Sequence, residues 1–215
     1  MRPALAFALA ALLAATSCGG NDDENTSSAS GGCEEVDAPD PKPNGKRKAP
    51  TQLLDDGTTY SLVVETNCGN FTIELDQKSA PKTAASLVAL TRAGFYDDTI
   101  IHRVVPSFVI QGGDPTGTGT GGPGYQTIDR PPRGSKYTRG VVAMAKSGAD
   151  PAGAAGSQFF VVTAEDAGLP PEYAVVGKVT AGLVDTVQKI DQLGSAQTER
   201  PSQTVLIRQI SVETE

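Results

Sequence analysis

Apolar and polar residues alternate along two runs in the second quarter of the chain, at 59–65 and 70–75. Alternation with a period of two is typical of half-buried β-strands. The turn-forming residues 67–70 between the runs predict a β-hairpin. Further short apolar runs, separated by glycine and proline, predict strands at 100–105, 108–111, 141–145, 158–162, 173–179 and 205–212.

Two segments show helical periodicity instead. We predict that the first helix opens with Ser79 as its N-cap and Pro81 in its first turn, and that it ends at Gly94. The residues that recur on one face of it are Ala84, Leu87, Val88 and Thr91. A second amphipathic helix is predicted over 183–193. Many antiparallel strands with two helices indicate an all-β domain closed into a barrel, because closure removes exposed sheet edges.

The N-terminus carries a targeting signal. A single early charge, Arg2, precedes an apolar run over 4–15 that is too short to span a bilayer, so we predict a secretory signal peptide over 1–17. The residues before Cys18 resemble a bacterial lipoprotein cleavage site, although Ala15 stands where leucine is usual. A lipidated Cys18 would anchor the protein to the cell membrane on its extracytoplasmic side. Without lipidation the protein would be secreted.

Residues 18–57 are predicted to form a disordered tether, which leaves 58–215 as the folded domain. Val36 is the only large aliphatic residue between positions 19 and 50, too little apolar surface to offset chain entropy. Lipidation of Cys18 would leave Cys33 and Cys68 as an even pair in an oxidising compartment. We expect a Cys33–Cys68 disulfide, and the alternative is two free thiols.

Composition excludes several classes of function. A net charge of -7 argues against a nucleic-acid partner, which needs clustered Lys and Arg. A single histidine and three cysteines without paired spacing exclude the common zinc sites. The run from Gly117 to Gly122 matches G-x-G-x-x-G, but Pro123 and Gly124 follow where a dinucleotide-binding helix would have to start. We therefore interpret this run as a surface loop that needs positive φ angles.

The segment IHRVVPSFVIQGGD, residues 101–114, holds the candidate chemistry. It places Arg103 in an apolar run, and a buried arginine is rare unless it is paired or functional. The alternative is an exposed arginine whose stem covers apolar neighbours. We expect His102, which is out of phase with Arg103, to be a structural hydrogen-bonding histidine. A serine hydrolase using Ser157 is disfavoured because the G-x-S-x-G turn is missing.

Five motifs in order carry a resemblance to a known family. After IHRVVPSFVIQGGD come GTGTGGPGY, VVAMAKSG, GSQFFVV and VVGKV, and together they resemble the cyclophilins, the peptidyl-prolyl cis-trans isomerases, over about 59–212. The likeness is greatest to members of actinobacterial type. It implies a closed eight-stranded antiparallel barrel capped by two α-helices, and isomerisation of Xaa-Pro bonds without a cofactor. The partners would be proline-containing polypeptides, and we expect a monomer.

The resemblance also implies roles for individual residues. It makes Arg103, Gln111 and Phe108 the catalytic group. The residues implied to bind substrate are Val109, Gly119, Ala145, Lys146, Gln158, Phe160, Leu169 and Tyr173. A fixed cation near the proline nitrogen would stabilise the twisted amide, whose formation meets a barrier of about 18–20 kcal/mol. Arginine suits this task because its charge is permanent and its donors lie in one plane.

Four positions depart from the family pattern. Val109 replaces a methionine, Lys146 an asparagine and Tyr173 a common histidine. Gly168 falls near a tryptophan of many eukaryotic members, so we expect weakened cyclosporin binding. These changes leave open a second hypothesis, in which the chain is a proline-peptide binding module or holdase chaperone with little turnover.

Overall fold

The structure, a computed structural model, describes residues 32–215. The predicted signal peptide and Cys18 lie outside the described residues. Most of the regular structure is β. The strands are β1 Tyr60–Thr66, β2 Gly69–Leu75, β3 Thr99–Ile100, β4 Arg103–Val105, β5 Val109–Gly112, β6 Thr127–Ile128, β7 Val141–Met144, β8 Ala154–Ala155, β9 Phe159–Val162, β10 Val175–Ala181 and β11 Leu206–Thr214.

Nine of these strands form one antiparallel sheet in the order β3-β11-β1-β2-β10-β7-β9-β5-β4. Its two edge strands, β3 and β4, are consecutive in the chain, and only Ile101 and His102 separate them. The sheet must therefore curl until its edges meet. This agrees with the predicted barrel, except that nine strands replace eight because the predicted strand 100–105 is divided at the seam.

Alternation along the strands builds the core. In β1 every second residue is buried, beginning with Tyr60, and the β1–β2 hairpin pairs Val64 with Phe71. Burial of the inward face against the helices supplies the main stabilising free energy of such a sheet. A separate two-stranded sheet, β6 with β8, was not predicted, because two-residue strands have no readable period.

Helix α1 spans Pro81–Arg92 and packs beneath the sheet. The prediction of Ser79 as its N-cap is wrong, since the cap is Ala80 and no side chain bonds to the cap position. Asp76 instead accepts hydrogen bonds from the backbone of Ser79, 3.0 Å away. Asp129 reaches in from the loop after β6 and accepts bonds from the Thr83 amide and hydroxyl, both at 2.7 Å. A distant carboxylate therefore satisfies the donors at the start of the helix.

The second helical segment is a π-helical turn, Leu183–Val187, that continues into α2, Gln188–Asp191. It begins at Gly182, whose φ of 75° and close approach to Asn70 both require glycine. A Cβ there would lie 2.2 Å from the Asn70 carbonyl oxygen. Within residues 32–215, no helix is both long and apolar enough to cross a bilayer.

Residues 33–57, here called the strap, differ from the predicted disordered tether. The strap has no helix or strand, yet it lies on the domain and bonds to it along its length. Its backbone amides donate to domain carbonyls in four pairs: Glu34 to Asn67 (2.8 Å), Lys42 to Pro115, Gly45 to Gly122 and Arg47 to Pro123 (each 2.9 Å). Composition correctly indicates that the strap buries little apolar surface. Composition gives no information on the backbone hydrogen bonds that the strap makes with loops distant in sequence.

The predicted Cys33–Cys68 disulfide is present and ties the start of the strap to the β1–β2 turn. An ion pair between Glu34 and Arg208, at 2.5 Å, lies beside it. Just after the strap, Thr59 and Glu215 exchange two backbone hydrogen bonds that extend the β1–β11 pairing. The strap itself is therefore held at its start by the disulfide and along its course as far as Arg47.

Candidate active site

Arg103 and Gln111 face each other across a two-strand ladder. β4 and β5 are antiparallel, and these two residues are direct partners in the register. Asp191 of α2 holds the turn between the two strands. Both of its carboxylate oxygens accept hydrogen bonds from the Ser107 amide, at 3.0 and 3.1 Å. Ser107 has a φ of 56°, which this pair of bonds helps to maintain. Helix α2 thus fixes the turn that positions the Arg103 and Gln111 side chains opposite each other.

The Arg103 guanidinium is held by two side chains and remains 30% exposed. Its Nε donates to Glu199 at 2.7 Å, and its Nη1 donates to Gln111 at 3.3 Å. The neighbouring guanidinium, by hydrogen bond and charge, lowers the pKa of Glu199. Sequence analysis missed Glu199, which lies 96 residues away and follows no motif. The sequence left two interpretations of Arg103, a buried functional arginine and an exposed one. The structure lies between them, because Arg103 is paired with two side chains and is partly exposed.

A chain of hydrogen bonds continues from Gln111 into the glycine-rich loop. Gln111 Nε2 donates to Gln158 Oε1 at 3.0 Å, and Gln158 Nε2 donates to the carbonyls of Gly119 (3.0 Å) and Gly121 (2.9 Å). The amide orientations are therefore mutually consistent from the arginine to the loop. These hydrogen bonds link the position of the glycine-rich loop to Gln111, the hydrogen-bond partner of Arg103.

Beside Arg103 lies a pocket with a volume of about 210 Å³, with apolar and aromatic side chains on one side and polar ones on the other. Strand pairing brings its floor together, because Phe160 of β9 pairs with Gln111 on one side and with Ala143 on the other. Nine of the predicted site residues line it: Arg103, Phe108, Val109, Gln111, Ala145, Lys146, Phe160, Leu169 and Tyr173. A pocket of this size, with Phe108, Val109 and Phe160 on its apolar side, suits a proline ring.

Aromatic packing fixes the far wall of the pocket. The Phe160 and Tyr173 rings meet edge to face, with centroids 5.6 Å apart. The buried Tyr137 hydroxyl donates to the Tyr173 carbonyl at 2.7 Å and accepts its amide at 3.0 Å. Lys146 lies 5.6 Å from the Tyr173 ring centroid and pairs with Glu172 at 3.2 Å. Only 5% of the Lys146 side chain is exposed, so its charge is committed to these partners.

A larger cleft of about 680 Å³ opens next to the pocket and shares Gln111, Ala145 and Lys146 with it. The two remaining predicted site residues, Gly119 and Gln158, line this cleft. The structure thus brings all eleven predicted residues to two adjoining depressions. Two strap residues that were not predicted, Asn44 and Gly45, also line the cleft.

Asp114 holds the glycine-rich loop from inside. Its carboxylate accepts amides from Thr116 (2.7 Å), Gly119 (2.6 Å) and Gly121 (3.1 Å). Burial would raise the pKa of Asp114, but these hydrogen bonds outweigh burial and lower it. A Cβ on Gly121 would lie 2.0 Å from the carboxylate, so glycine is needed where the loop passes over it.

The prediction that His102 is a hydrogen-bonding histidine is wrong. Both ring nitrogens are buried and have no hydrogen-bond partner among the described residues. Burial lowers the pKa of His102, which Asp114 only partly offsets. The imidazole instead lies under the glycine-rich loop, where a Cβ on Gly119 would sit 3.8 Å from its Nε2. Packing against the loop explains its place better than bonding does.

The comparison with protein families decides what kind of domain carries this site. The model of the cyclophilin type peptidyl-prolyl cis-trans isomerases matches residues 61–212. The chain belongs to the cyclophilins. It is a peptidyl-prolyl cis-trans isomerase, as the sequence resemblance predicted. Within the part of the cyclophilin that the structure describes, no cluster of His, Cys, Asp and Glu could hold a metal ion.

Two named relatives align with this cyclophilin over nearly their whole length. A peptidyl-prolyl cis-trans isomerase-like 1 from Gibberella zeae is 38% identical over 153 residues, which is 69% of this chain and 92% of the relative. The isomerase CYP18-2 of Arabidopsis thaliana is 34% identical over 161 residues, 73% of this chain and 96% of that one.

Solved structures agree with the fold. A cyclophilin type isomerase from Cryptosporidium parvum has a TM-score of 0.66 and 32% identity, and covers 73% of this chain and 99% of its own. A second crystal structure of that protein, obtained in the presence of the dipeptide Ala-Pro, has a TM-score of 0.63. The strap, residues 33–57, precedes the residues that the family model matches.

Proposed function

We propose that this cyclophilin isomerises Xaa-Pro bonds of exported proteins on the extracytoplasmic side of the membrane, with Arg103 as its catalytic cation. The observation that carries the catalytic part is the guanidinium held beside the apolar side of the pocket. The compartment is argued separately below, from the cysteines.

The geometry supplies what the reaction needs. Rotation about the Xaa-Pro bond breaks amide conjugation and leaves a lone pair on the proline nitrogen. Arg103 has five N–H donors, of which Glu199 and Gln111 each take one, so others remain for the substrate. The pocket of Phe108, Val109 and Phe160 excludes water from one side of the ring, which strengthens the effect of the charge. A gain of about 10⁵ in rate requires about 7 kcal/mol from these effects.

The three departures in the site are compatible with turnover. Val109 is buried in the pocket floor and keeps it apolar. Lys146 is paired with Glu172, and Tyr173 is fixed by Tyr137, so neither places a free charge beside the proline ring. A holdase would need only the pocket, whereas an arginine restrained by two partners serves a charge that develops during rotation. We therefore favour catalysis over binding alone.

The cysteines support the extracytoplasmic location. The Cys33–Cys68 disulfide is of a kind that persists in oxidising compartments and is rare in the cytosol. Cys18 follows the apolar run over 4–15, where an acylated cysteine would provide the anchor. The clients would then be newly exported polypeptides that expose proline.

The anchoring is tested by fractionating cells that express Cys18→Ser. The variant should leave the membrane fraction or accumulate unprocessed, and it should lose incorporated labelled fatty acid. The matched control is Cys33→Ser with Cys68→Ser, which removes two cysteines and keeps Cys18. Wild-type protein without incorporated lipid, or a Cys18→Ser variant that is still processed and membrane-bound, would contradict the proposal.

A further inference from the structure

The strap crosses the glycine-rich loop at the rim of the cleft. Gly45 donates its amide to the Gly122 carbonyl, and Gly122 donates its own amide to Asn44 Oδ1, both at 2.9 Å. The Arg47 amide extends the contact by donating to Pro123 at 2.9 Å. These bonds join an accessory segment to the same loop that Gln158 and Asp114 hold from the other side.

The backbone of the strap and that of the glycine-rich loop are so close that no side-chain atom fits between them. A Cβ on Gly45 would lie 2.7 Å from the Pro123 carbonyl oxygen, and a Cβ on Gly124 would lie 2.5 Å from the Gly45 carbonyl oxygen. Real Cβ atoms are not found at such distances from backbone atoms. Glycine at both positions therefore permits the strap to lie directly against the loop.

Asn44 and Gly45 consequently form part of the cleft wall itself. The cleft adjoins the proline pocket through Gln111, Ala145 and Lys146, so a peptide with its proline in the pocket passes its flanking residues into the cleft. The lining mixes apolar surface from Pro123, Tyr125 and Ala145 with the backbone of the glycine-rich loop and with polar side chains. Asn44 is exposed there and offers its amide N–H groups to a bound chain.

From these contacts we infer that the strap is a specificity element of the peptide groove: Asn44 and Gly45 favour substrates with polar residues flanking the proline. The inference rests on the proposed function, since it assumes that Xaa-Pro polypeptides occupy the pocket. An aromatic flanking residue cannot accept these amide hydrogen bonds, whereas a polar one can. The Cys33–Cys68 bridge helps to hold the strap in this position.

The test measures kcat and KM by exchange NMR on a set of short Xaa-Pro peptides. The peptides carry serine, glutamine, phenylalanine or tryptophan at each of the two positions before and after the Xaa-Pro unit. Dissociation constants from NMR titration are measured in parallel. The proteins are wild type, Asn44→Ala, Gly45→Ala and the control Asp37→Ala, an exposed strap residue outside the cleft lining.

Wild type should favour polar over aromatic flanking residues on one side of the proline. In Asn44→Ala that preference in kcat/KM should fall by about threefold to tenfold, the effect of losing one hydrogen bond of ordinary strength. In Gly45→Ala the new Cβ would displace the strap from Pro123, so the preference should fall at least as far. The change should appear in KM more than in kcat, and Asp37→Ala should behave as wild type. Circular dichroism and thermal unfolding confirm that each variant is folded.

Two results separate failure of this inference from failure of the proposed function. If both cleft variants change kcat/KM by the same factor for every peptide, the strap is only a brace and the inference is wrong. If wild type shows no turnover while the titrations still show the altered preference, the proposed catalysis is wrong and the specificity role stands.

Discussion

The Cys33–Cys68 disulfide closes a loop with a sequence separation of 35 residues, and its removal has a calculable effect. In the chain-entropy account, closing a loop of this length destabilises the unfolded state by about 4 kcal/mol. For a protein of this size, about 2–4 °C of thermal midpoint corresponds to each kcal/mol, so the double variant Cys33→Ser with Cys68→Ser should unfold about 8–16 °C lower.

The assay is thermal unfolding of the mature protein followed by circular dichroism, for the double variant and for wild type with and without reductant. The variant and the reduced wild type should agree with each other. Asp37→Ala, an exposed strap substitution that keeps the bridge, is the control. A decrease of under about 2 °C, with free thiols verified by mass spectrometry, would refute the reasoning. It would show that the strap detaches before the barrel unfolds, so that the bridge does not restrict the globally unfolded chain.

Three further predictions concern the site and its surroundings. Glu199→Gln should lower kcat/KM by about two- to fivefold in the isomerisation assay, the range expected for an exposed ion pair, whereas Glu165→Gln, which breaks a remote pair with Arg139, should not. Because burial lowers the pKa of His102 below its ordinary 6.5, stability should be fully present above that pH and decrease as pH falls toward the folded-state pKa. His102→Phe should remove that part of the dependence in denaturant titrations at pH 7 and pH 5, and an unchanged slope would count against it. Calorimetry should show weaker cyclosporin A binding to wild type than to Gly168→Trp, even though the φ of 63° at Gly168 makes tryptophan strained there.

The sequence predicts the long strands of the sheet well, but it does not predict how the sheet closes or where distant loops contact α1. Alternation identifies β1 and β2 within one or two residues, because every second residue is buried throughout β1 and from Phe71 onward in β2. It does not show that the run through Arg103 divides into β3 and β4, since the division arises from closure of the barrel. The burial of Thr83 and Ser86 in α1 was likewise unpredicted, because their partners Asp129 and Tyr125 come from a distant loop.

The same distinction applies to the site. The family resemblance, carried by the order of the motifs, identified eleven residues that the structure places in the lining of the pocket and the cleft. It could not identify Glu199, Asn44 or Gly45, whose contribution depends on contacts between segments far apart in the chain. The strap was predicted to be disordered because composition reports buried apolar surface and not backbone hydrogen bonds. Its glycine at position 45 was the one local sign of a close approach.

The role of Arg103 is tested most directly by Arg103→Ala together with Arg103→Lys, measured by exchange NMR on an Ala-Pro-Phe type peptide. The account predicts that Arg103→Ala lowers kcat by at least about tenfold, that lysine restores only part of the loss, and that the thermal midpoint stays within a few degrees of wild type. Because the Arg103 side chain is partly exposed and paired only with Glu199 and Gln111, folding should not require it. Full activity in a folded Arg103→Ala protein would contradict the account.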